Sequence, residues 1–310
     1  VGHTGQDGIL LRELLDAAGK AWFGVSGSVA DSSADRGAEW FDVSDADAVS
    51  EFIARRQPEK IYYLAAAHTG SGKAGNANLF DLYSRGIGVN VQGPLNFLGA
   101  IAQSSPDTRL VFASSSLVFA PTEDPEQLIS EGSPIAPGEA YAAQKLLTGQ
   151  ACQDFRQRLG VHASVAYLFN HESRHRRGGF FTSHVTSGIR RILDGETREL
   201  EIGSLEAIVD WSYAGDVVAA LKQIVDLDNP GEYIVASGVG HTIGQFLEIA
   251  FRCAGLKWQD HVKVNPALLG RVNSCRVGDA GRLMRDTSWR PRTSFETMIE
   301  NLIHPADGRH

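Results

Sequence analysis

Short apolar runs alternate with longer amphipathic segments through the first half of the chain. The pattern predicts strands over 21–25, 60–66, 109–113 and 161–169, and helices over 9–18, 46–56, 76–103 and 141–158. Strands that alternate with helices at this pitch form right-handed β-α-β units, which place the strands side by side in a parallel sheet. The sequence therefore predicts an α/β fold with a doubly wound parallel sheet.

The chain opens with a glycine-rich turn, Val1-Gly2-His3-Thr4-Gly5-Gln6-Asp7-Gly8, directly before the first predicted helix. Glycines at three-residue spacing let the backbone approach a pyrophosphate, and the N–H groups at the start of the helix favour an anion. The alternative is an ordinary strand-to-helix turn. Because a nucleotide-binding fold needs its central first strand before this turn, we expect several apolar residues to precede Val1 in the natural chain.

The pattern changes after Asn170. A strand over 232–236 is expected to rejoin the sheet, and further helices are predicted over 181–193, 215–225, 242–254 and 295–303. We therefore expect a dinucleotide-binding domain over 1–170, to which 209–238 returns. A smaller substrate-binding cap is expected over 171–208 and 239–310.

The end of the second predicted strand bears on which dinucleotide is bound. The stretch Val25-Ser26-Gly27-Ser28 contains no carboxylate to bind the ribose 2′-hydroxyl of NAD, and no arginine for the extra phosphate of NADP. The missing carboxylate favours NADP, with NAD as the alternative. The third strand ends in Ala65 and Ala66, small residues that can lie against a cofactor.

Tyr141 and Lys145 are four residues apart, a spacing that places both side chains on one face of a helix. A neighbouring ammonium favours the phenolate and lowers a phenol's pKa, so Tyr141 is a candidate general acid/base for interconverting an alcohol and a ketone. Ser114, Ser115 and Ser116 follow the fourth strand, at the edge where open α/β sheets bind ligands. For both features the alternative is an ordinary polar surface.

The densest positive patch is the loop His171-Glu172-Ser173-Arg174-His175-Arg176-Arg177-Gly178-Gly179. Arginine forks match phosphate oxygens, so the loop is a candidate clamp for a phosphate or diphosphate, and the alternative is a solvated turn.

Composition limits the remaining possibilities. The 310 residues carry a net charge of −8 and no block of basic residues, which argues against a nucleic-acid surface. No apolar run approaches the length of a membrane span. Three cysteines, Cys152, Cys253 and Cys275, match no metal spacing and indicate reduced thiols in a cytoplasmic protein.

Taken together, the glycine turn, Asn90, Ser115, Tyr141 and Lys145 resemble, in identity and order, the extended short-chain dehydrogenases/reductases. Longer stretches resemble the GDP-mannose 4,6-dehydratase family within that group. They are residues 2–8, Leu168-Phe169-Asn170-His171-Glu172-Ser173, Asp210-Trp211, Gly240-His241-Thr242-Ile243 and Trp289-Arg290-Pro291. The similarity spans nearly the whole chain, and the Asn-His-Glu-Ser stretch is specific to that family.

The resemblance implies roles for individual residues. Tyr141 would exchange a proton with the sugar 4-hydroxyl, Lys145 would lower its pKa and hold the nicotinamide ribose, and Ser115 would bond the same hydroxyl. Cofactor contacts are implied for Gly2, Thr4, Gly5, Gln6, Asp7, Gly8, Ser26, Asp42, Val43, Leu64, Ala65, Ala66, Asn90, Ala113, Ser114 and Leu168. Substrate contacts are implied for His68, Ser116, Asn170, Glu172, Arg176, Arg177, His184 and Arg271. Bound NADP or NAD is implied, as is a homodimer or homotetramer paired through 76–103 and 141–158.

One departure from the family changes the expected reaction. The family's dehydratases carry a glutamate that removes the sugar C5 proton, and its place here is Leu117, preceded by Ser116. We therefore expect redox chemistry at sugar C4, as a 4-ketoreductase or an epimerase. A dehydratase with a relocated base, with His68, His171 and Glu172 as candidates, is the alternative. A non-catalytic protein that binds nucleotide sugar or cofactor is a third possibility.

Overall fold

The structure, a computed structural model, describes residues 1–27, 37–68, 79–268 and 275–304. Its strands are β1 (Gly24–Ser26), β2 (Ala38–Trp40), β3 (Lys60–Tyr63), β4 (Arg109–Ser115), β5 (His162–Leu168), β6 (Asn170–Glu172), β7 (Leu200–Ile202), β8 (Ile208–Tyr213), β9 (Glu232–Val235), β10 (Gly240–Thr242) and β11 (Val262–Val264). Its helices are α1 (Gln6–Ala17), α2 (Ala46–Arg56), α3 (Leu79–Ile87), α4 (Gly93–Ser104), α5 (Ala140–Leu159), α6 (Phe181–Leu193), α7 (Ala214–Asp226), α8 (Ile243–Cys253), α9 (Gly281–Asp286) and α10 (Phe295–Ile303).

A parallel sheet in the order β3-β4-β5-β9 forms the centre of the fold, and β1 and β2 form a second parallel pair. The first two residues of the chain lie between them. The Val1 ammonium donates to Tyr62 O at 2.8 Å, Leu64 N–H donates to Val1 O at 3.0 Å, and Gly2 N–H donates to Val25 O at 2.8 Å. The α/β fold with parallel strands, predicted from the alternating pattern, is confirmed.

Side chains of β4 alternate between two cores, as the period of two along a strand requires. Leu110 and Phe112 pack with α2, α4 and α5 on one face of the sheet. Val111 and Ala113 pack with α1 and α7 on the other. The sheet is therefore covered on both faces, which leaves the carboxyl ends of its strands as the edge where a ligand can enter.

The helix predicted over 76–103 is interrupted by a π-helical turn, Gly88–Gln92, between α3 and α4; residues 76–78 lie outside the described part of the chain. Two buried hydroxyls bond carbonyls in this turn. Tyr63 Oη donates to Val89 O and Thr148 Oγ1 donates to Asn90 O, each at 2.7 Å. These bonds offset the irregular hydrogen bonding of the turn, because side chains satisfy its carbonyls.

A third core lies among the later segments of the chain. Strands β6, β8 and β10 form one small sheet and β7 pairs with β11, while α6, α8 and α10 contribute the side chains packed around Trp211 and Phe246. The carboxylate of Asp210 accepts from the N–H groups of Ser237, Gly238 and Gly278 at 2.9–3.1 Å. The Asp-Trp motif thus anchors this region to the segment that follows β9.

In the described ranges, no helix is both long and apolar enough to cross a membrane. Cys152, Cys253 and Cys275 are free thiols.

Candidate active site

A cleft of about 750 Å³ opens at the carboxyl ends of β1, β3, β4 and β5. All the residues expected to contact cofactor line it except Asn90: Gly2, Thr4, Gly5, Gln6, Asp7, Gly8, Ser26, Asp42, Val43, Leu64, Ala65, Ala66, Ala113, Ser114, Tyr141, Lys145 and Leu168. Of the other predicted residues, Ser115, Ser116, His68, Asn170, Arg176 and Arg177 also line it. The motifs scattered along the sequence therefore meet at one site.

The glycine turn has the geometry of a pyrophosphate cradle. Gly2 has a φ of +84°, and a Cβ there would lie 2.7 Å from Ala65 N. A Cβ on Gly8 would lie 2.5 Å from the Cα of His3. Gly5, the residue before α1, makes no side-chain cap, and the first residues of α1, Gln6, Asp7 and Gly8, line the cleft, so the helix start with its unpaired N–H groups lies at the site. The turn fits the pyrophosphate of a dinucleotide.

A carboxylate in the first turn of α1 would repel that pyrophosphate, but it is paired. Both oxygens of Asp7 lie 3.1 Å from Nε2 of His171. Burial alone would raise the pKa of Asp7, but the charge and hydrogen bond of His171 outweigh it, and the net pKa is lowered. Burial alone would lower the pKa of His171, but the charge of Asp7 outweighs it, and the net pKa is raised. The His171 Nδ1 lies 2.7 Å from Phe169 O, so both ring nitrogens are engaged.

The family-specific stretch reinforces the same contact. Gln6 Nε2 donates to His171 O at 3.1 Å, and Ser173 Oγ donates to Gln6 Oε1 at 3.0 Å. Sequence reasoning missed this pairing because the partners are more than 160 residues apart, and neither motif predicts the other.

Lys145 is buried below Tyr141. Its Nζ donates to Ala113 O at 2.8 Å and lies 4.6 Å from the centre of the Phe112 ring and 5.7 Å from that of Tyr141. Loss of hydration lowers the pKa of Lys145 to about 7. About half of its positive charge is therefore absent at pH 7.

Tyr141 differs from the sequence prediction. Its ring is partly accessible from the cleft, yet burial raises the pKa of its phenol, and the guanidinium of Arg176 is the charge that works against this rise. We predicted that Lys145 would lower this pKa, but loss of hydration lowers the pKa of Lys145 itself to about 7, so only about half of its charge is present at pH 7. Because its pKa is raised, the phenol of Tyr141 is protonated at pH 7 in the chain without bound cofactor or substrate.

The end of β4 carries Ser115 and the residue that replaces the family's glutamate. Ser115 Oγ accepts from Leu117 N–H at 3.2 Å and so caps a single 3-10 turn, Ser116–Val118. Leu117 faces the cleft. Among the described residues that line the cleft, the carboxylates are Asp7, which His171 holds, and Asp42, which follows β2 at the cofactor side.

Asn90 does not line the cleft as predicted but supports its wall. It is fully buried in the π-helical turn, and its side chain bonds both the N–H and the carbonyl of Ala67, each at 3.0 Å. Its Nδ2 also donates to Gln144 Oε1 on α5 at 2.8 Å. Asn90 thus ties the segment after β3 to the helix that carries Tyr141.

The basic loop reaches the cleft through two of its arginines. Arg177 donates to Thr4 O at 3.0 Å, across the glycine turn. Arg176 lies 3.8 Å over the ring of Phe180 and 3.2 Å from the Glu172 carboxylate.

Two residues predicted for substrate contact, Glu172 and His184, do not line the cleft. Glu172 is buried behind it, where Thr182 Oγ1 donates to its carboxylate at 2.7 Å. His184 lies on α6 with Nε2 3.0 Å from Glu201 O. Neither residue is placed as predicted: the Glu172 side chain is buried against Thr182, and the His184 ring is exposed on the surface of α6. Arg271 lies outside the described residues.

His68, which follows β3, lies beside Tyr141. The two ring centres are 4.4 Å apart in an edge-to-face arrangement, and the His68 ring also stacks on Phe180 at 5.9 Å. Its Nε2 is 4.0 Å from the carboxylate of Glu139, the residue before α5. An imidazole with a neighbouring carboxylate is therefore placed next to the candidate acid/base.

The parallel sheet, glycine turn and Tyr-Lys pair define a dinucleotide-binding enzyme of the extended short-chain dehydrogenase/reductase class. Solved structures with the same fold include RMD from Pseudomonas aeruginosa complexed with NADPH, with TM-score 0.80 and 21% identity over 98% of this chain and 96% of that chain. Another is the UDP-glucose 4-epimerase of Thermus thermophilus in complex with NAD, with TM-score 0.82 and 23% identity over 97% and 96% of the two chains.

The chain belongs to the GDP-mannose 4,6 dehydratase family, an NAD(P)-dependent enzyme family whose model matches residues 1–302. A GDP-mannose 4,6-dehydratase of Sinorhizobium fredii (strain HH103) is 30% identical over 97% of this chain and 94% of the relative. GDP-mannose 4,6 dehydratase 1 of Arabidopsis thaliana is 28% identical over 97% of this chain and 87% of the relative. The resemblance seen in the short motifs thus extends to the whole chain.

Proposed function

We propose that this protein transfers hydride at C4 of a GDP-linked hexose with bound NADP or NAD, as a 4-ketoreductase or an epimerase. The observation that carries the proposal is the contrast between two sides of one cleft. Tyr141, Lys145 and Ser115 supply the groups needed for C4 redox chemistry, while Leu117 stands where elimination needs a carboxylate. Leucine has no group that moves a proton.

The residues have separate roles in this scheme. Ser115 and Tyr141 donate hydrogen bonds to the sugar C4 oxygen, which positions the carbonyl and stabilises the charge that develops on it. A nicotinamide ring bound in the cleft would supply or accept the hydride at C4. Tyr141 gives its proton to the C4 oxygen as the ketone becomes an alcohol, and takes it back in the reverse direction.

The electrostatic environment favours the direction that begins with a protonated Tyr141. A neutral phenol is the form that donates a proton, and burial raises the pKa of Tyr141 so that this form prevails at pH 7. Lys145, with a pKa near 7, can take up a proton after Tyr141 has lost one and so stabilise the phenolate. This arrangement supports proton donation by Tyr141 in the reduction step, which a ketoreductase and an epimerase share.

Arg176 and Arg177 are suited to the substrate diphosphate, because both line the cleft and guanidinium forks match phosphate oxygens. Asn170 lines the cleft beside them. We place the nucleotide-sugar diphosphate at this side and the dinucleotide at the glycine turn.

Two further candidates remain. A dehydratase with a relocated base is favoured by one observation, the contact of His68 with Tyr141. A non-catalytic binding protein would keep the cleft but would show no turnover with any sugar.

The experiment offers the protein two substrates. With a GDP-linked 4-keto-6-deoxyhexose and NADPH, a ketoreductase consumes one NADPH per sugar, which absorbance at 340 nm follows. With GDP-mannose and added NADP, mass spectrometry detects loss of one water by a dehydratase, which consumes no cofactor. NADPH consumption supports the proposal; water loss from GDP-mannose without it would replace the ketoreductase with the dehydratase.

We also propose that the chain pairs with a second copy through α3 and α5. Phe80, Tyr83 and Ile87 form an exposed apolar stripe on α3, at the three- and four-residue spacing of one helix face, and Leu147 is exposed on α5. The resemblance to the family motivates this proposal.

A further inference from the structure

We propose that His68 is the general acid/base that moves the proton on a sugar carbon next to the 4-keto group. The inference rests on the proposed C4 chemistry and assigns the residue that would extend it to proton exchange, epimerisation or elimination.

The position of His68 carries the proposal. With a ring-centre separation of 4.4 Å, its imidazole and the Tyr141 phenol ring are in direct contact in the wall of one cleft. In a sugar whose C4 oxygen meets the Tyr141 hydroxyl, C3 and C5 are bonded to C4, two bonds from that oxygen, and the His68 ring lies on the neighbouring part of the cleft wall. A catalytic base must first satisfy this geometric condition.

The backbone that carries His68 is held in place. Both backbone polar groups of Ala67 are bonded to Asn90, and the same amide is bonded to Gln144 on the helix of Tyr141. The ring itself lies against Phe180. The position of His68 relative to Tyr141 is therefore fixed by packing and hydrogen bonds on both sides, as a catalytic group requires.

The other two candidate bases are engaged elsewhere. His171 uses Nε2 for Asp7 and Nδ1 for Phe169 O. Glu172 is buried behind the cleft against Thr182 and Arg176. His171 also lines the cleft, but His68 is the candidate whose ring contacts Tyr141. The Nε2 of His68 lies 4.0 Å from the carboxylate of Glu139.

The proton balance of the step is simple. Once C4 is a ketone, a neutral ring nitrogen of His68 takes the proton from C5 or C3. The electron pair of the broken C–H bond forms the enolate. The hydroxyls of Tyr141 and Ser115 donate hydrogen bonds to the enolate oxygen on C4. The imidazolium that forms is stabilised by the Glu139 carboxylate. Returning a proton to the same face of that carbon gives exchange, whereas a proton delivered from solvent to the opposite face gives inversion. Passing it from C5 to the departing 6-hydroxyl releases water.

The test isolates this step from hydride transfer. The holoenzyme is incubated in D2O with saturating NADP and a GDP-linked 4-keto-6-deoxyhexose, so that the ketone is supplied ready-made and is not reduced. Proton NMR follows the C3 and C5 signals, and exchange at C5 collapses the methyl doublet to a singlet. The rate without protein is subtracted. The variants are His68→Ala, Glu139→Gln, and His304→Ala as the matched control, since His304 is exposed and bonds Cys253 O.

We expect wild type and His304→Ala to exchange the proton equally fast. His68→Ala should lose about 10²-fold or more of that rate, the range for general base catalysis. Glu139→Gln should lose roughly tenfold with an unchanged Kd for NADPH, because Glu139 acts through His68. In the His68→Ala background, Leu117→Glu should restore part of the exchange.

Exchange that survives in His68→Ala within threefold of wild type would overturn the inference. Wild-type protein that oxidises NADPH but exchanges no faster than the protein-free sample would overturn it too, and would leave the C4 redox proposal intact. Protein that does neither would overturn both.

Discussion

Replacing Lys145 by methionine should make the protein more stable at neutral pH while abolishing its activity. The side chain is about 1% exposed, and its burial lowers its pKa from an ordinary 10.5 to about 7. The folded protein therefore holds fewer protons than the unfolded chain between these two pKa values. In that window the free energy of unfolding of the wild type rises with pH.

The magnitude follows from the shift. A difference of one pKa unit is worth about 1.4 kcal/mol, so burying Lys145 costs about 4 kcal/mol at pH 7 and about 2 kcal/mol at pH 9. Methionine has a similar length and no charge, and it forfeits the hydrogen bond to Ala113 O, which contributes about 1 kcal/mol at either pH. The stability advantage of Lys145→Met over wild type should therefore shrink by about 2 kcal/mol from pH 7 to pH 9.

Urea unfolding followed by circular dichroism at the two pH values measures this change. Lys257→Met, which removes an exposed lysine, is the matched control and should show a pH-independent difference from wild type. An advantage of Lys145→Met that stays constant or grows between pH 7 and pH 9 would refute the claim that burial depresses this pKa.

Three further changes test other parts of the account. Gly8→Ala places a methyl group 2.5 Å from the Cα of His3 and should weaken NADPH binding at least tenfold, as measured by fluorescence titration. In Gly5→Ala the nearest contact of the new methyl group would be 3.4 Å, so this variant should bind NADPH within about threefold of wild type. Equal losses for both would contradict the cradle geometry. Tyr83→Arg on α3 should shift the mass measured by light scattering from dimer to monomer. Leu193→Arg, at a similarly exposed apolar site on α6, should leave the dimer intact. A monomeric wild type would contradict the proposed pairing through α3 and α5. Leu117→Glu should raise the rate of water loss from GDP-mannose by about tenfold or more, as followed by mass spectrometry, because it returns a carboxylate to the cleft. An unchanged rate would show that the missing glutamate is not what limits elimination.

The sequence predicted the parts of the site that depend on local spacing. Tyr141 and Lys145 share a helix face because they are four residues apart, and the glycine turn meets the start of α1 because the two are contiguous. The alternation of strands and helices was sufficient to predict that the ends of β3, β4 and β5 meet at one edge.

Other features depend on contacts between distant segments, which spacing does not predict. Asp7 and His171 pair across 164 residues, and the π-helical turn Gly88–Gln92 has a carbonyl that accepts a hydrogen bond from Tyr63 on another element. The charge of Lys145 could not be predicted either. Its proximity to Tyr141 follows from spacing, but its pKa depends on how much of the folded chain excludes water from it.

The most direct test of C4 redox chemistry compares wild type with Tyr141→Phe in single-turnover oxidation of NADPH by a GDP-linked 4-keto-6-deoxyhexose. The substitution removes the hydroxyl and retains the ring that contacts His68. We predict that the rate falls by about 10²-fold or more while the Kd for NADPH changes less than threefold, because only the proton donor is lost. A Tyr141→Phe variant that turns over at the wild-type rate would contradict the claim.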